Sequence, residues 1–243
     1  DGSNTAALTS SNYLLSGWVG ADGATVTKTT GTYDNANAGT AKTVTVALSS
    51  GDFSPTGTTN LSNYQLPTSV SGSVGTITRA ALTLTANNAT KTYDGDTTSG
   101  GTVTVSGLQG SDTVTGLSQV YVNKNAGSTK VISVASGYSV NDGNSGGNYD
   151  VTTVDATGGV INKASASVSG TATSVTYNGS TQTQTAATSS GFVSGDTVTV
   201  SGQASGRNAG TYTSALTVGG ADADNYDVTI TNADLVIGRA ALT

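Results

Sequence analysis

Few side chains in this 243-residue sequence can do chemistry. It contains no His, Cys or Glu, and its 15 acids are all Asp. Ser–His and Cys–His nucleophile systems, thiolate and imidazole zinc sites and carboxylate pairs that use Glu are therefore excluded. Asp pairs remain, such as Asp94 with Asp96, but the related stretch Tyr177-Asn178-Gly179 carries an amide where Tyr93-Asp94-Gly95 carries an acid. A catalytic duty common to both stretches is not expected. The best cation candidate is the loop with Asp222, Asp224 and Asp227. Its alternating oxygen side chains suit Ca²⁺, a hard ion that takes about six to eight oxygens. The competing reading is a loop closed by Asx turns, since the matching stretches Asn141–Asn148 and Thr59–Asn63 carry fewer acids. Lys91 or Lys124 with Asn125 would supply the atoms of a Lys–Asn isopeptide bond, but nothing in the sequence pairs them. The Thr-x-Thr steps would suit an ice-binding face only in a long flat array, and strands twist. No Gly-rich loop leads into a helix as a phosphate cradle requires.

The elements that position these residues are strands. Loss of Glu and Met, with Thr, Val, Ser and Gly kept, removes helix formers and enriches strand and turn formers. Lys42–Leu48, Thr102–Val105 and Asp196–Val200 alternate hydroxyl or charged side chains with Val or Leu, the period of a half-buried strand. Only 10% of residues are charged, and the net charge is -6 with Lys+Arg 9 spread thinly. There is no basic footprint for nucleic acid or an anionic membrane, and no apolar run of membrane-spanning length. The lack of Cys excludes a disulfide framework and is compatible with an exported repeat protein.

Five landmarks recur in order. The Tyr-Asp/Asn-Gly corner stands at Asp1-Gly2 (without its Tyr), Tyr93-Asp94-Gly95 and Tyr177-Asn178-Gly179. Turns leading into Thr/Val runs begin at Asp22, Asp112 and Asp196. Asn-Ala-Gly follows at Asn37–Gly39, Asn125–Gly127 and Asn208–Gly210, and Asn-Tyr at Tyr64, Tyr149 and Tyr226. Ile-x-Arg/Lys closes each repeat at Arg79, Lys163 and Arg239. The repeat is about 80 residues, a domain size, with boundaries at 1–79, 80–163 and 164–243. Asp1-Gly2 and Ile237–Thr243 read as partial copies, as expected of a stretch cut from a longer array.

The landmark residues have structural readings. The tyrosines at positions 64, 93, 149, 177 and 226 are expected as core plugs with their hydroxyls on backbone; the alternative is a sugar-stacking platform. The Asn-Ala-Gly glycines suit a corner at positive φ. Trp18 belongs to one repeat only and either fills an irregular core or marks an exposed contact. Arg79, Lys163 and Arg239 stand at joints with no flexible linker. Each either pairs with an Asp or carbonyl of the neighbouring repeat or is a solvated charge on an edge strand. The expected fold is all-β: three tandem Ig-like β-sandwich modules of about seven strands each, in an extended rod.

The Tyr-Asp-Gly corner, Asn-Ala-Gly turn, Asn-Tyr step and terminal Ile-x-Arg/Lys resemble the YDG and MBG-type repeat domains of large secreted bacterial adhesins. The middle stretch LTLTANNATKTYDGDTT carries the resemblance best, and the third repeat departs from it at Asn178. The first repeat departs most, in SNYLLSGWVG and in Pro55 and Pro67. The resemblance implies an extracellular stalk or matrix fibre with no enzymatic activity and no cofactor, Ca²⁺ apart. Implied partners are neighbouring repeats of one long chain, and polysaccharide or like fibres if the modules themselves bind. Nucleic acid and membrane insertion are not implied.

Overall fold

The computed structural model describes residues 2–243; Asp1, the acid of the first corner, lies outside them. Among the described residues every regular element is a strand or a single three-residue turn of 3-10 helix, as the loss of helix formers predicts. No helix there is long and apolar enough to cross a membrane. The chain forms two compact units: one from residues 1–83, 105–116 and 138–152, the other from 84–104, 117–137 and 153–243. Residues 80–163, one repeat by sequence, contribute to both.

In the first unit, Gly39–Ala47 lies between Thr30–Tyr33 and Ser69–Ile77 in a four-stranded antiparallel sheet with Thr5–Ala7 at its edge. The period-two pattern operates as expected: Val44, Val46 and the following Leu48 are buried while Thr45 is exposed. They share one core cluster with Val26 and Phe53, which belong to a separate antiparallel pair, Ala24–Val26 with Phe53–Pro55. Each such side chain contributes about 1.5–3 kcal/mol when fully buried. A Val46→Ala change would open a void between the two sheets.

In the second unit the first two strands of the third repeat run parallel to its last two. Ala164–Ser169 pairs with Tyr226–Thr231 over six positions, and Thr173–Thr176 pairs with Asp234–Gly238 over four. The chain changes sheets at Gly170, whose N–H donates to Thr231 O at 2.8 Å. A Cβ at Gly170 would sit 2.9 Å from the Ala233 nitrogen, so the close approach requires glycine. The buried Gln184 closes the break: its Nε2 donates to Thr171 O and Ala233 O, both at 3.0 Å, and its Oε1 accepts from Ala204 N. Gln119, 1% exposed, does the same for Asn87 in the middle repeat, donating to its carbonyl and accepting from its N–H at 2.8 Å. These breaks cut long strands into short ones, so ten strands lie between Ala164 and Gly238 where about seven were expected.

The Asn-Ala-Gly turns meet their expectation only in part. Gly127 and Gly210 have φ of 157° and 159°, close to extended backbone, and Gly39 has no positive φ. The left-handed residue comes two positions later, at Ala41 (φ 54°) and Thr129 (φ 55°). There the pairing registers of Gly39–Ala47 and Gly127–Val134 both slip, a β-bulge that leaves an unpaired residue and bends the strand. The bulge aims Lys42 at Asn35 Oδ1 (2.6 Å) and Lys130 at Asn123 Oδ1. The third repeat has Thr213 at the corresponding place and no such bulge.

Candidate functional site

One arrangement recurs three times. A turn closed by backbone bonds from Asp22 N, Asp112 N and Asp196 N to Val19 O, Gln109 O and Val193 O presents an N–H and a carboxylate side by side. The Tyr of the Asn-Tyr step bridges them. Tyr64, Tyr149 and Tyr226 accept from Val19 N, Gln109 N and Val193 N at 3.2, 2.8 and 2.8 Å. They donate to Asp22, Asp112 and Asp196 at 2.7, 2.6 and 2.5 Å. The bond to Asp22 raises the Tyr64 hydroxyl above its ordinary pKa. Burial first, and then the facing Asp112, raises that of Tyr149.

In the second unit this clamp grows into a cluster. The Asp196 side chain is 3% exposed. Its Oδ2 accepts from Tyr93 as well as Tyr226, and its Oδ1 takes Lys124 Nζ at 2.8 Å. Lys124 also meets Asp222 at 3.0 Å and lies 5.8 Å from the Tyr93 ring centre. Tyr93 and Phe192 both stand edge-on to Tyr226. Burial and then Asp196 push Tyr226 up to about 12. Asp196 stays below the ordinary carboxyl range although burial raises it, because Lys124 and both phenols stabilise the anion. Asp196 raises Lys124, with Asp222 adding to the effect.

A second contact joins sequence repeats. Ala38 N donates to Asn148 Oδ1 at 2.9 Å, and Ala126 N donates to Asn225 Oδ1 at 2.8 Å. The Asn-Ala-Gly turn of one repeat thus holds the Asn-Tyr step of the next, 110 and 99 residues on. Asn148 is seated by Asp142, which also accepts from Asn144 N and Gly146 N. Burial raises the Asp142 carboxyl, and these three donors more than offset that and leave it lowered. The arrangement ties distant segments together. Its carboxylates, phenols and ammonium already satisfy one another, and among the described residues no buried polar side-chain atom lacks a partner.

The other expected residues distribute as follows. Tyr93, Tyr149 and Tyr226 are buried, and Tyr64 is half-buried with its ring edge-on to Trp18 at 4.7 Å. The hydroxyls of Tyr64, Tyr149 and Tyr226 each bond to backbone by accepting an N–H and also donate to a carboxylate, and that of Tyr93 donates to a carboxylate. Tyr177 is not a core plug: it is 39% exposed. Its backbone repeats that of Tyr93, with Tyr177 N on Gly238 O and Tyr93 N on Asn162 O. Tyr226, Ala126 and Val193 pack in the cluster around Tyr93, and Tyr177 has no such cover among the described residues.

Gly95 and Gly179 take φ of 85° and 81°. Asp94 and Asn178 each accept from the N–H two residues on, at 3.2 and 2.9 Å, and an Asx turn works with acid or amide. Lys91 neutralises Asp94 and Asp96 at 2.6 and 2.7 Å, so that acid pair and both candidate isopeptide lysines are engaged with carboxylates. Asn125 donates its N–H to Asn123 Oδ1, and Asn208 O accepts from Tyr212.

Arg79 meets Asp150 at 3.4 Å, an exposed pair. Lys163 and Arg239 are exposed, with no ion pair among the described residues. Asp222 is turned to Lys124 and Thr197 N, while Asp224 and Asp227 are exposed. Among the described residues no three acids gather as a metal site would require.

Sequence reasoning placed Asp22, Asp112 and Asp196 in turns but did not pair them with the tyrosines. It passed over Gln119, Gln184 and Tyr121, which is 1% exposed with its hydroxyl on Ala89 O. Their one sequence signal is position: Gln119 and Tyr121 alternate on one strand.

The family model described as the YDG domain matches residues 1–72 and 78–157, and the one described as the MBG domain (YGX type) matches 166–236. No curated protein and no solved structure matches the chain.

Proposed function

The chain belongs to the YDG domain family, with an MBG-type domain following, and from that premise we propose that it is a stalk segment of an extracellular bacterial adhesin or matrix fibre. In this reading it carries tension between adhesive regions and the cell, and it has no catalytic duty and no cofactor. The observation that supports this most is the parallel pairing of Ala164–Ser169 with Tyr226–Thr231. A pull on the two ends of such a repeat runs along both strands in opposite directions. The hydrogen bonds between them lie across the pull and load together rather than one after another. Polysaccharide binding by the modules themselves is less well supported. Most of the landmark tyrosines are buried, Trp18 packs on Tyr64, and the groove beside Tyr13 is walled mainly by Leu and Val.

Because the chain has no Cys, single-molecule handles can be placed at will. Ser165→Cys with Thr231→Cys pulls the pair in shear, and Ser165→Cys with Asp227→Cys pulls the same pair apart crosswise from facing positions. Shear rupture is expected at a several-fold higher force. Equal forces would remove the mechanical reading.

A further inference from the structure

The strand Tyr226–Thr231 is outermost in its three-stranded sheet, and its one strand partner among the described residues is Ala164–Ser169. An edge strand presents a row of unpaired N–H and C=O groups, and proteins blunt such edges by shortness, Pro, Lys or a bulge. The opposite edge of the same sheet, Thr188–Ser190, is three residues long. Tyr226–Thr231 has six residues, with no Pro, Gly or Lys, and its register on Ala164–Ser169 runs without a slip. Asp227 is its only charge. Thr231 O accepts from Gly170 N, which continues the partner strand. Main-chain groups of successive residues in a strand turn to opposite sides, so Val228 and Ile230 turn theirs to the open edge. The middle repeat carries the same opening letters in Tyr149–Val154, exposed from Asp150 onward.

The strand is complementary to itself. Set antiparallel about Thr229, Val228 faces Ile230 of a second copy, and each such pair exchanges the N–H and C=O groups that the edge leaves open. Asp227 then faces Thr231, so no two acids meet across the pair. Val228 packs on the core cluster, while Ile230, on the same face, is 39% exposed; the pairing sets the two side by side. We propose that Tyr226–Thr231 is a docking edge for the same strand of a second copy of this chain, paired antiparallel about Thr229. This goes beyond the stalk reading and does not rest on it, because the contact needs no applied force.

Sedimentation of the whole chain tests it. The mass is expected to rise from one chain toward two or more with concentration, and more so in high salt, which screens the repulsion between chains of net charge -6. Hydrogen exchange at the Val228 and Ile230 amides should slow over the same concentrations. Thr229 would meet its own copy, and Thr152 holds the same place in Tyr149–Val154; both are exposed. A chain with Thr152→Lys and Thr229→Lys and a chain with Thr152→Asp and Thr229→Asp should each stay single and should associate when mixed. Where a variant does not fold, exchange at Val228 and Ile230 in the parent chain decides. A parent chain that stays single at every concentration and salt would overturn the proposal, as would protection that rises only elsewhere. So would charged chains that associate unmixed, or that stay apart when mixed.

Discussion

Replacing Asp196 by Ala is the sharpest perturbation of the joint. The change strands two phenols, Tyr93 and Tyr226, both buried. A hydrogen bond to a charged group contributes about 1.5–3 kcal/mol, and the two are not additive because they share one oxygen. Removing one partner from a buried charged network typically costs about 3–5 kcal/mol, and we expect a loss in that range for the second unit. Lys124 falls back on Asp222, which it already meets. Asp112→Ala is the internal control, because its carboxylate holds one phenol and no lysine; about 1.5–3 kcal/mol is expected there. Hydrogen exchange of the 84–104 segment during urea unfolding reads the second unit, and Trp18 fluorescence reads the first. The reasoning fails if Asp196→Ala costs no more than Asp112→Ala, or if both stay within the ±0.5 kcal/mol typical of surface changes.

Two further outcomes follow from the same cluster. Tyr226 has its folded pKa raised from 10 to about 12, so its contribution is fully present below 10 and is lost as pH rises toward 12. Asp142, Asp196 and Asp222 are all lowered, so theirs is fully present above the unfolded carboxyl value of about 3.9 and is lost as pH falls through the lowered folded values. A melting profile should therefore be flat in between, and complete phenolate absorbance at the ordinary value with strands intact would contradict it. With Lys124 on Asp222, the melting midpoint is expected to be the same in millimolar Ca²⁺ and in EDTA. A Ca²⁺-dependent rise in that midpoint, reflecting up to the about 2.7 kcal/mol that ligand linkage gives at about 100 times Kd, would restore a cation to that loop.

The all-β fold was legible because its signals are local. Thr/Val alternation around Val44 and Val46 acts within a few residues, and it behaved as read. The strand breaks were not legible. A lone Gln among many polar residues carries no mark that it will repair a broken strand, yet Gln119 and Gln184 both do so, over sequence separations of 32 and 49. Tyr177 misled because its backbone setting is that of Tyr93, while burial is decided by segments far along the chain, such as Val193 and Tyr226 for Tyr93.

The joint was half legible for a physical reason. Each Tyr clamp uses one side-chain acceptor and one main-chain donor. The acceptor, Asp22, Asp112 or Asp196, recurs in sequence because only an acid can take the phenol proton as a charged partner. The donor is the N–H of Val19, Gln109 or Val193, and nearly any residue supplies one, so those positions differ freely. The joint between repeats divides the same way: Asn148 and Asn225 supply the amide oxygen, and the main chain of Ala38 and Ala126 supplies the donor. In such a design the acceptors repeat and the donors drift. Repeats as unlike in sequence as the first and third can therefore carry the same tyrosine clamp.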